Sequence, residues 1–114
     1  MNDCLFCKIA EGTIPSTKVY EDEHVYAFLD IAPQAKMHAL VIPKQHVANV
    51  LECAALEDDL LAHLMSTAAM IAHEQGIADG GFRLVTNCGE NARQSVDHFH
   101  IHILGGEKLS EKMG

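Results

Sequence analysis

The stretch Asp97-His98-Phe99-His100-Ile101-His102-Ile103-Leu104-Gly105-Gly106 restricts this chain more than any other. Histidine alternates with Phe, Ile and Ile, the period-two pattern of a β-strand with one apolar side. Residues two apart in a strand share a face. The pattern therefore predicts that His98, His100 and His102 project from one side, neighbours about 6.5–7 Å apart. Such a row can ligate a metal, or hold an anion and move protons around it near neutral pH. The ordinary alternative is the solvent face of a plain strand. Three of the chain's eight histidines in one row argue against it.

At 114 residues the chain has the length of one domain, 1–114, able to bury about two thirds of its unfolded surface. A formal net charge of −8 with eight scattered Lys and Arg argues against holding nucleic acid by bulk electrostatics. An anionic ligand would need directed donors instead. No apolar run approaches the roughly 20 residues of a membrane span, and Met1-Asn2-Asp3-Cys4 does not open a signal peptide. The expectation is a cytoplasmic protein without membrane contact, whose four cysteines serve as ligands or buried thiols rather than disulfides. Cys53 and Cys88, each alone in apolar surroundings, read as core thiols.

The remaining elements follow in order. Cys4 to Glu11 reads as a short helix stopped by Gly12, with Ile14-Pro15 forcing extended backbone. Lys18-Val19-Tyr20-Glu21 and Val25 to Asp30 form a hairpin across Asp22-Glu23-His24. His38 to Pro43 is a strand ended by its proline. The segment from Leu51 to Gly76 is one long helix, with Leu56, Leu60, Leu61, Leu64, Ala68, Ile71 and Ala72 on its apolar face. Glu57, Asp58 and Asp59 suit its N-terminal dipole and Gly76 its C-terminus. His63 and His73 fall on its polar side and read as solvated. Phe82 to Asn87 is a further strand. Short connections suit an α+β fold, an antiparallel sheet with the long helix packed on one face and a short N-terminal helix.

His98-Phe99-His100-Ile101-His102-Ile103-Leu104 resembles the signature of the histidine triad superfamily of nucleotide hydrolases and transferases. Cys4-Leu5-Phe6-Cys7-Lys8-Ile9, Val19-Tyr20-Glu21-Asp22-Glu23, Ala27-Phe28-Leu29-Asp30-Ile31, His38 to His46 and Gln94-Ser95-Val96 match in the same order. The likeness is to the small Hint branch, and it implies a HIT-like fold and a homodimer whose sheets join. It implies that His100 is the nucleophile, attacking an α-phosphorus to form a nucleotidyl-histidine that water cleaves. A backbone carbonyl would orient His100, with His102 and Ser95 holding the phosphate. Asn87 and Gln94 would contact phosphate or ribose, His38 would stand beside the triad, and Asp30 would accept the ribose hydroxyls. Phe6, Ile9, Phe28 and Ile31 match residues that sandwich the base, although core packing is the ordinary role for such side chains.

Two departures bear on the leaving group. Ala92-Arg93 stands where relatives often carry Gly-Gly, which would narrow that side or favour an acidic group, and the tail Glu107 to Gly114 lacks an aromatic.

Cys4-x-x-Cys7 is by spacing half of a zinc site. A redox pair would instead follow a strand and open a longer helix. By the same likeness His46 and His98 complete a closed, structural set of two cysteines and two histidines, although a strict pleat would aim His98 beside His100. The expected activity is hydrolysis of purine nucleoside 5′-phosphoramidates or related nucleoside monophosphate conjugates, with no metal at the phosphate. Other readings are a dinucleoside polyphosphate hydrolase, a nucleotide-binding interaction protein with incidental hydrolysis, and a catalytic zinc hydrolase ligated by all three triad imidazoles.

Overall fold

The segment Met37-His38-Ala39-Leu40-Val41-Ile42-Pro43 is buried at every position, so both faces of this strand must be covered. The computed structural model, which describes residues 3–113, shows how. Met1, Asn2 and Gly114, at the ends of the segments read above, lie outside the described residues. The strands are β1 (Lys18–Glu21), β2 (Val25–Leu29), β3 (Met37–Pro43), β4 (Phe82–Val85) and β5 (Ile101–Gly105). They form one antiparallel sheet in the order β1-β2-β3-β5-β4. The last strand is thus inserted between β3, the central strand, and the edge strand β4.

Alternation sorts the side chains. Val25, Ala27, Ala39, Val41, Ile101 and Ile103 face helix α2 (Asp58–Glu74), which supplies Leu64, Ala68, Ile71 and Ala72 to the same core. Fully burying a side chain such as Leu64, Ile71 or Ile103 contributes about 1.5–3 kcal/mol. On the opposite face Tyr26, Phe28, Leu40 and Ile42 meet Phe6 and Ile9 of helix α1 (Leu5–Glu11). The second face is therefore not bare, as a sheet with one packed helix would leave it. α1 covers its β2–β3 half.

The long helix is shorter than its apolar periodicity suggested. Val50–Ala55 is a 3-10 segment, Leu56 is extended at φ −84 and ψ 150, and α2 begins only after Glu57. Gly12 ends α1 with φ 86, a left-handed conformation that favours glycine. Gly105 is required for another reason. A Cβ there would meet Ile77 Cδ1 at 2.8 Å and Phe82 Cβ at 3.3 Å, where the loop after α2 crosses the sheet. Cys53 is buried as expected, whereas Cys88 is only half-buried. His63 is not merely solvated. Its Nε2 lies 2.5 Å from Asp22 Oδ2 and ties α2 to the β1–β2 turn.

Candidate active site and metal centre

The strict alternation expected over residues 97–106 holds only from Ile101, where β5 begins. Before it the backbone follows another path: His98 N–H donates to the Val96 carbonyl and Phe99 N–H to the Val47 carbonyl. This turn separates the histidines. His98 rotates toward the N-terminus, while His100 and His102 remain neighbours with ring centroids 5.0 Å apart.

His98 and His100 each have one nitrogen committed to a carbonyl, which can only accept, and this fixes their tautomers. His98 Nε2 lies 2.8 Å from the Pro43 carbonyl, so Nε2 carries hydrogen and Nδ1 keeps its lone pair. His100 Nδ1 lies 2.6 Å from the His98 carbonyl, so this nitrogen donates and Nε2 carries the lone pair. For His102 the assignment passes through His38. The Gln34 amide donates to His38 Nδ1 over 3.0 Å, leaving the ring hydrogen on His38 Nε2. That nitrogen lies 2.8 Å from His102 Nδ1 and donates to it, so His102 carries its own hydrogen on Nε2. Asp30 Oδ2, 3.4 Å from His38 Nε2, is a second acceptor for the same hydrogen.

Burial keeps these rings neutral. It pushes His98 and His102 down to about 4, against the pull of the Pro43 carbonyl on the first and of Asp30 on the second. It also lowers His100 and His38, opposed by the His98 carbonyl at His100 and by Asp30 at both. The result is an uncharged acceptor nitrogen at His100 beside a ring that presents an N–H. Phe6 packs edge-on to His100 with centroids 5.0 Å apart and helps exclude water from it.

The other expected residues are distributed unevenly. Asp30 is half-buried at the end of β2, one oxygen accepting the Ala32 amide at 2.8 Å. Phe6, Ile9 and Phe28 are buried together, Phe6 and Phe28 with centroids 5.4 Å apart, whereas Ile31 is 100% exposed. Asn87 borders His102 in a cavity and donates to the Ala92 carbonyl at 2.9 Å. Gln94 is occupied with the backbone: it accepts from Gly89 N–H and donates to the carbonyls of Ala48 and Val96. Its position is that of a loop brace. Ser95 is exposed, in a groove with Cys4, His46 and Asp97. Arg93 is exposed in a left-handed conformation, φ 61, and does not line the cavity beside His102.

Cys4, Cys7, His46 and His98 bring their donor atoms within 4.8 Å of one another. The contacts are Cys4 Sγ to His98 Nδ1 at 3.1 Å, Cys7 Sγ to His98 Nδ1 and to His46 Nδ1 at 3.4 Å each, and His46 Nδ1 to His98 Nδ1 at 3.1 Å. Tetrahedral zinc with ordinary bond lengths needs edges of about 3.5 Å between S and N and about 3.3 Å between nitrogens. The set matches to within a few tenths of an ångström, and His98 offers it the unprotonated nitrogen. The residues fit such an ion. Asp30, His38 and His102 are also close enough to share a metal, but the 2.8 Å separation within the histidine pair is that of a hydrogen bond. Among the described residues the three triad imidazoles do not gather around one metal position, which removes the reading that needed all three as ligands.

Comparison with known proteins places this geometry among relatives. Residues 11–109 match the family described as HIT domain. A HIT family hydrolase from Clostridium thermocellum has the same fold, with a TM-score of 0.94 at 45% identity, over 100% of this chain and 99% of that one. The purine nucleoside phosphoramidase of Escherichia coli K12 is 41% identical, over 94% of this chain and 90% of its own length. A 14 kDa zinc-binding protein of Brassica juncea is 42% identical, over 95% and 96%.

Proposed function

The chain belongs to the HIT-domain family, and on that premise we propose that it is a nucleotide-binding hydrolase of purine nucleoside 5′-phosphoramidates or related nucleoside monophosphate conjugates. The observation that carries the reading is the tautomer of His100. Its Nδ1–H is held by the His98 carbonyl at 2.6 Å and burial keeps the ring neutral, so Nε2 is available to attack phosphorus. The Nε2–H of His102 donates to a non-bridging oxygen, where developing charge rewards a fixed donor. The nucleotidyl-histidine formed on His100 is then cleaved by water.

Around this centre Ser95 and Asn87 hold the phosphate, and Gln94 keeps their loop in place. The Asp30 carboxylate accepts the ribose hydroxyls, and Phe6, Ile9, Phe28 and Ile31 border the base. The exposed Ile31 is an apolar side chain without cover, as a base-stacking residue would be. Cys4, Cys7, His46 and His98 hold a structural zinc that supplies folding free energy. Four protein ligands leave it no open position for chemistry. β4 is an edge of the sheet, which suits a homodimer with joined sheets. The net charge of −8 is unfavourable for nucleic acid. Among the described residues no helix is long and apolar enough to cross a membrane. The reading places the protein in the cytoplasm.

Adenosine 5′-phosphoramidate turnover and intact-protein mass after a rapid quench test the proposal together. Wild type should show a transient nucleotidyl adduct. His100→Gly should lose it, with kcat reduced more than about a hundredfold and nucleotide binding nearly unchanged. Retention of more than about a hundredth of kcat would remove His100 as nucleophile.

A further inference from the structure

The four cysteines are not alike. Cys53 is buried in the core that α2 shares, and burial pushes its thiol up, which keeps it protonated and unreactive. Cys88 is half-buried in the loop after β4. Cys4 and Cys7 stand three apart at the start of α1, where Cys4 is the N-cap and its Sγ accepts the Cys7 amide at 3.3 Å. Their sulfurs lie within 4.8 Å of each other, so a small shift of the first turn would let them bridge. Access to the pair is one-sided. A groove of about 480 Å³ opens onto Cys4, His46 and Ser95, whereas Cys7 is buried. A small molecule entering the groove therefore meets Cys4 first.

The same pair bears on the catalytic centre. Phe6, between the two cysteines in the chain, packs with ring centroids 5.0 Å from His100, 5.4 Å from Phe28 and 6.1 Å from His98. His98 gives Nδ1 to the metal set, while its carbonyl holds the His100 Nδ1–H at 2.6 Å. α1 thus has two attachments to the site, the apolar packing of Phe6 and Ile9 and the set of four donors. Losing the second leaves α1 free to shift, which loosens the nucleoside wall and admits water beside His100.

We propose that Cys4 and Cys7 are a site of reversible oxidation, through which a peroxide opens the metal set and lowers turnover. The inference rests on the zinc and hydrolase readings above. In the loaded set both sulfurs are thiolates. Cys4 Sγ attacks one oxygen of hydrogen peroxide, the O–O bond breaks, and the other oxygen leaves with a solvent proton as water. The product is a sulfenic acid on Cys4. Cys7 Sγ then attacks that sulfur. The S–S bond forms and the S–O bond breaks, its oxygen leaving as water with a second proton. Two electrons have passed from the sulfurs to one peroxide. His46 and His98 are then the only donors left to the ion, which is released. A dithiol reductant undoes the bridge by exchange. Transient disulfides in the cytosol are usually of this sensing kind.

The test treats the zinc-loaded full chain with hydrogen peroxide and follows three readouts: zinc released to a chromogenic chelator, the disulfide mapped by peptide mass, and kcat/KM on adenosine 5′-phosphoramidate. Wild type should release its zinc and form a bridge within the tryptic peptide that ends at Lys8. Its kcat/KM should fall roughly fivefold or more, and dithiothreitol with added zinc should restore all three. Cys88→Ser should respond as wild type does. Mapping the bridge in the wild-type chain makes the result independent of whether a Cys4 or Cys7 variant folds. Zinc retained through the treatment, or oxidation confined to Cys53 or Cys88, would overturn the site. Bridging and zinc release with kcat/KM unchanged would overturn its control of turnover and leave the hydrolase reading intact. Reduced, zinc-loaded protein that turns over no phosphoramidate would overturn the hydrolase reading, while zinc release and the mapped bridge, read without substrate, would still decide the oxidation site.

Discussion

Removing the His38 ring should disturb catalysis through His102, and the choice of substitute should show how. His38 Nδ1 accepts the Gln34 amide at 3.0 Å and its Nε2 donates to His102 Nδ1 at 2.8 Å. His38→Ala deletes both contacts. Without a donor at its Nδ1, His102 is free to move its hydrogen there and to present a lone pair to the phosphate. Loss of one buried hydrogen bond is worth about 0.5–1.5 kcal/mol, and a misdirected donor adds to this. A fall in kcat/KM of roughly 5- to 30-fold is expected. Gln and Asn separate the two contacts. A Gln amide reaches the Nε2 position and can donate to His102, so His38→Gln should recover much of the rate. Asn reaches only the Nδ1 position, where its oxygen can accept the Gln34 amide, so His38→Asn should restore the loop and not the rate. Steady-state kinetics of the three variants, with melting temperatures as a check on folding, decide the matter. Equal rates for Ala, Asn and Gln would refute the relay.

Purified protein should contain about one zinc per chain, and Cys7→Ser or a strong chelator should lower the melting temperature while residual turnover persists; metal-free protein that melts unchanged when zinc is added would count against the site. Although partial burial disfavours its charge, Asp22 is held well below the usual carboxylate range by hydrogen bonds from His63, Tyr20 and the amides of His24 and Val25. A depressed carboxylate stabilises above its unfolded value near 4 and loses that contribution as pH falls. Asp22→Asn should therefore cost about 1 kcal/mol at pH 7, after allowance for solvent screening, and less below pH ~4; a difference constant from pH 7 to pH 3 in urea unfolding would contradict this. Arg93 has φ 61, where an L side chain is strained, so Arg93→Gly should stabilise by about 0.5–1 kcal/mol once the added freedom of the unfolded chain is deducted; a lower melting temperature would show that the arginine makes a compensating contact.

Local pattern made much of this protein legible, and the failures have definite causes. The strands at Lys18, Val25, His38 and Phe82 could be read because alternation and turn residues are local properties, and two of the four candidate metal donors announced themselves by spacing. His46 and His98 did not. Their approach to Cys4 and Cys7 depends on residues 96–100 leaving the strand path to bond with Val47, a contact between distant segments. Periodicity alone assigns His98 to the same face as His100. The false helical start at Leu51 has a similar origin, since a 3-10 segment and an α-helix share much of their apolar spacing and only the extended Leu56 separates them. Gln94 was legible as a polar loop residue. That its amide is used up by backbone groups follows only from the folded loop. The positive φ of Arg93 is likewise a property of the folded loop that its residue type does not announce.

The central claim is that backbone partners divide three histidines into a metal ligand, a nucleophile and a donor. Long-range ¹H–¹⁵N correlation spectra of the uniformly labelled protein at neutral pH read this directly, because protonated and lone-pair ring nitrogens resonate far apart. The account predicts hydrogen on Nε2 of His98, on Nδ1 of His100 and on Nε2 of His102. A His100 ring protonated at Nε2, or at both nitrogens, would contradict it.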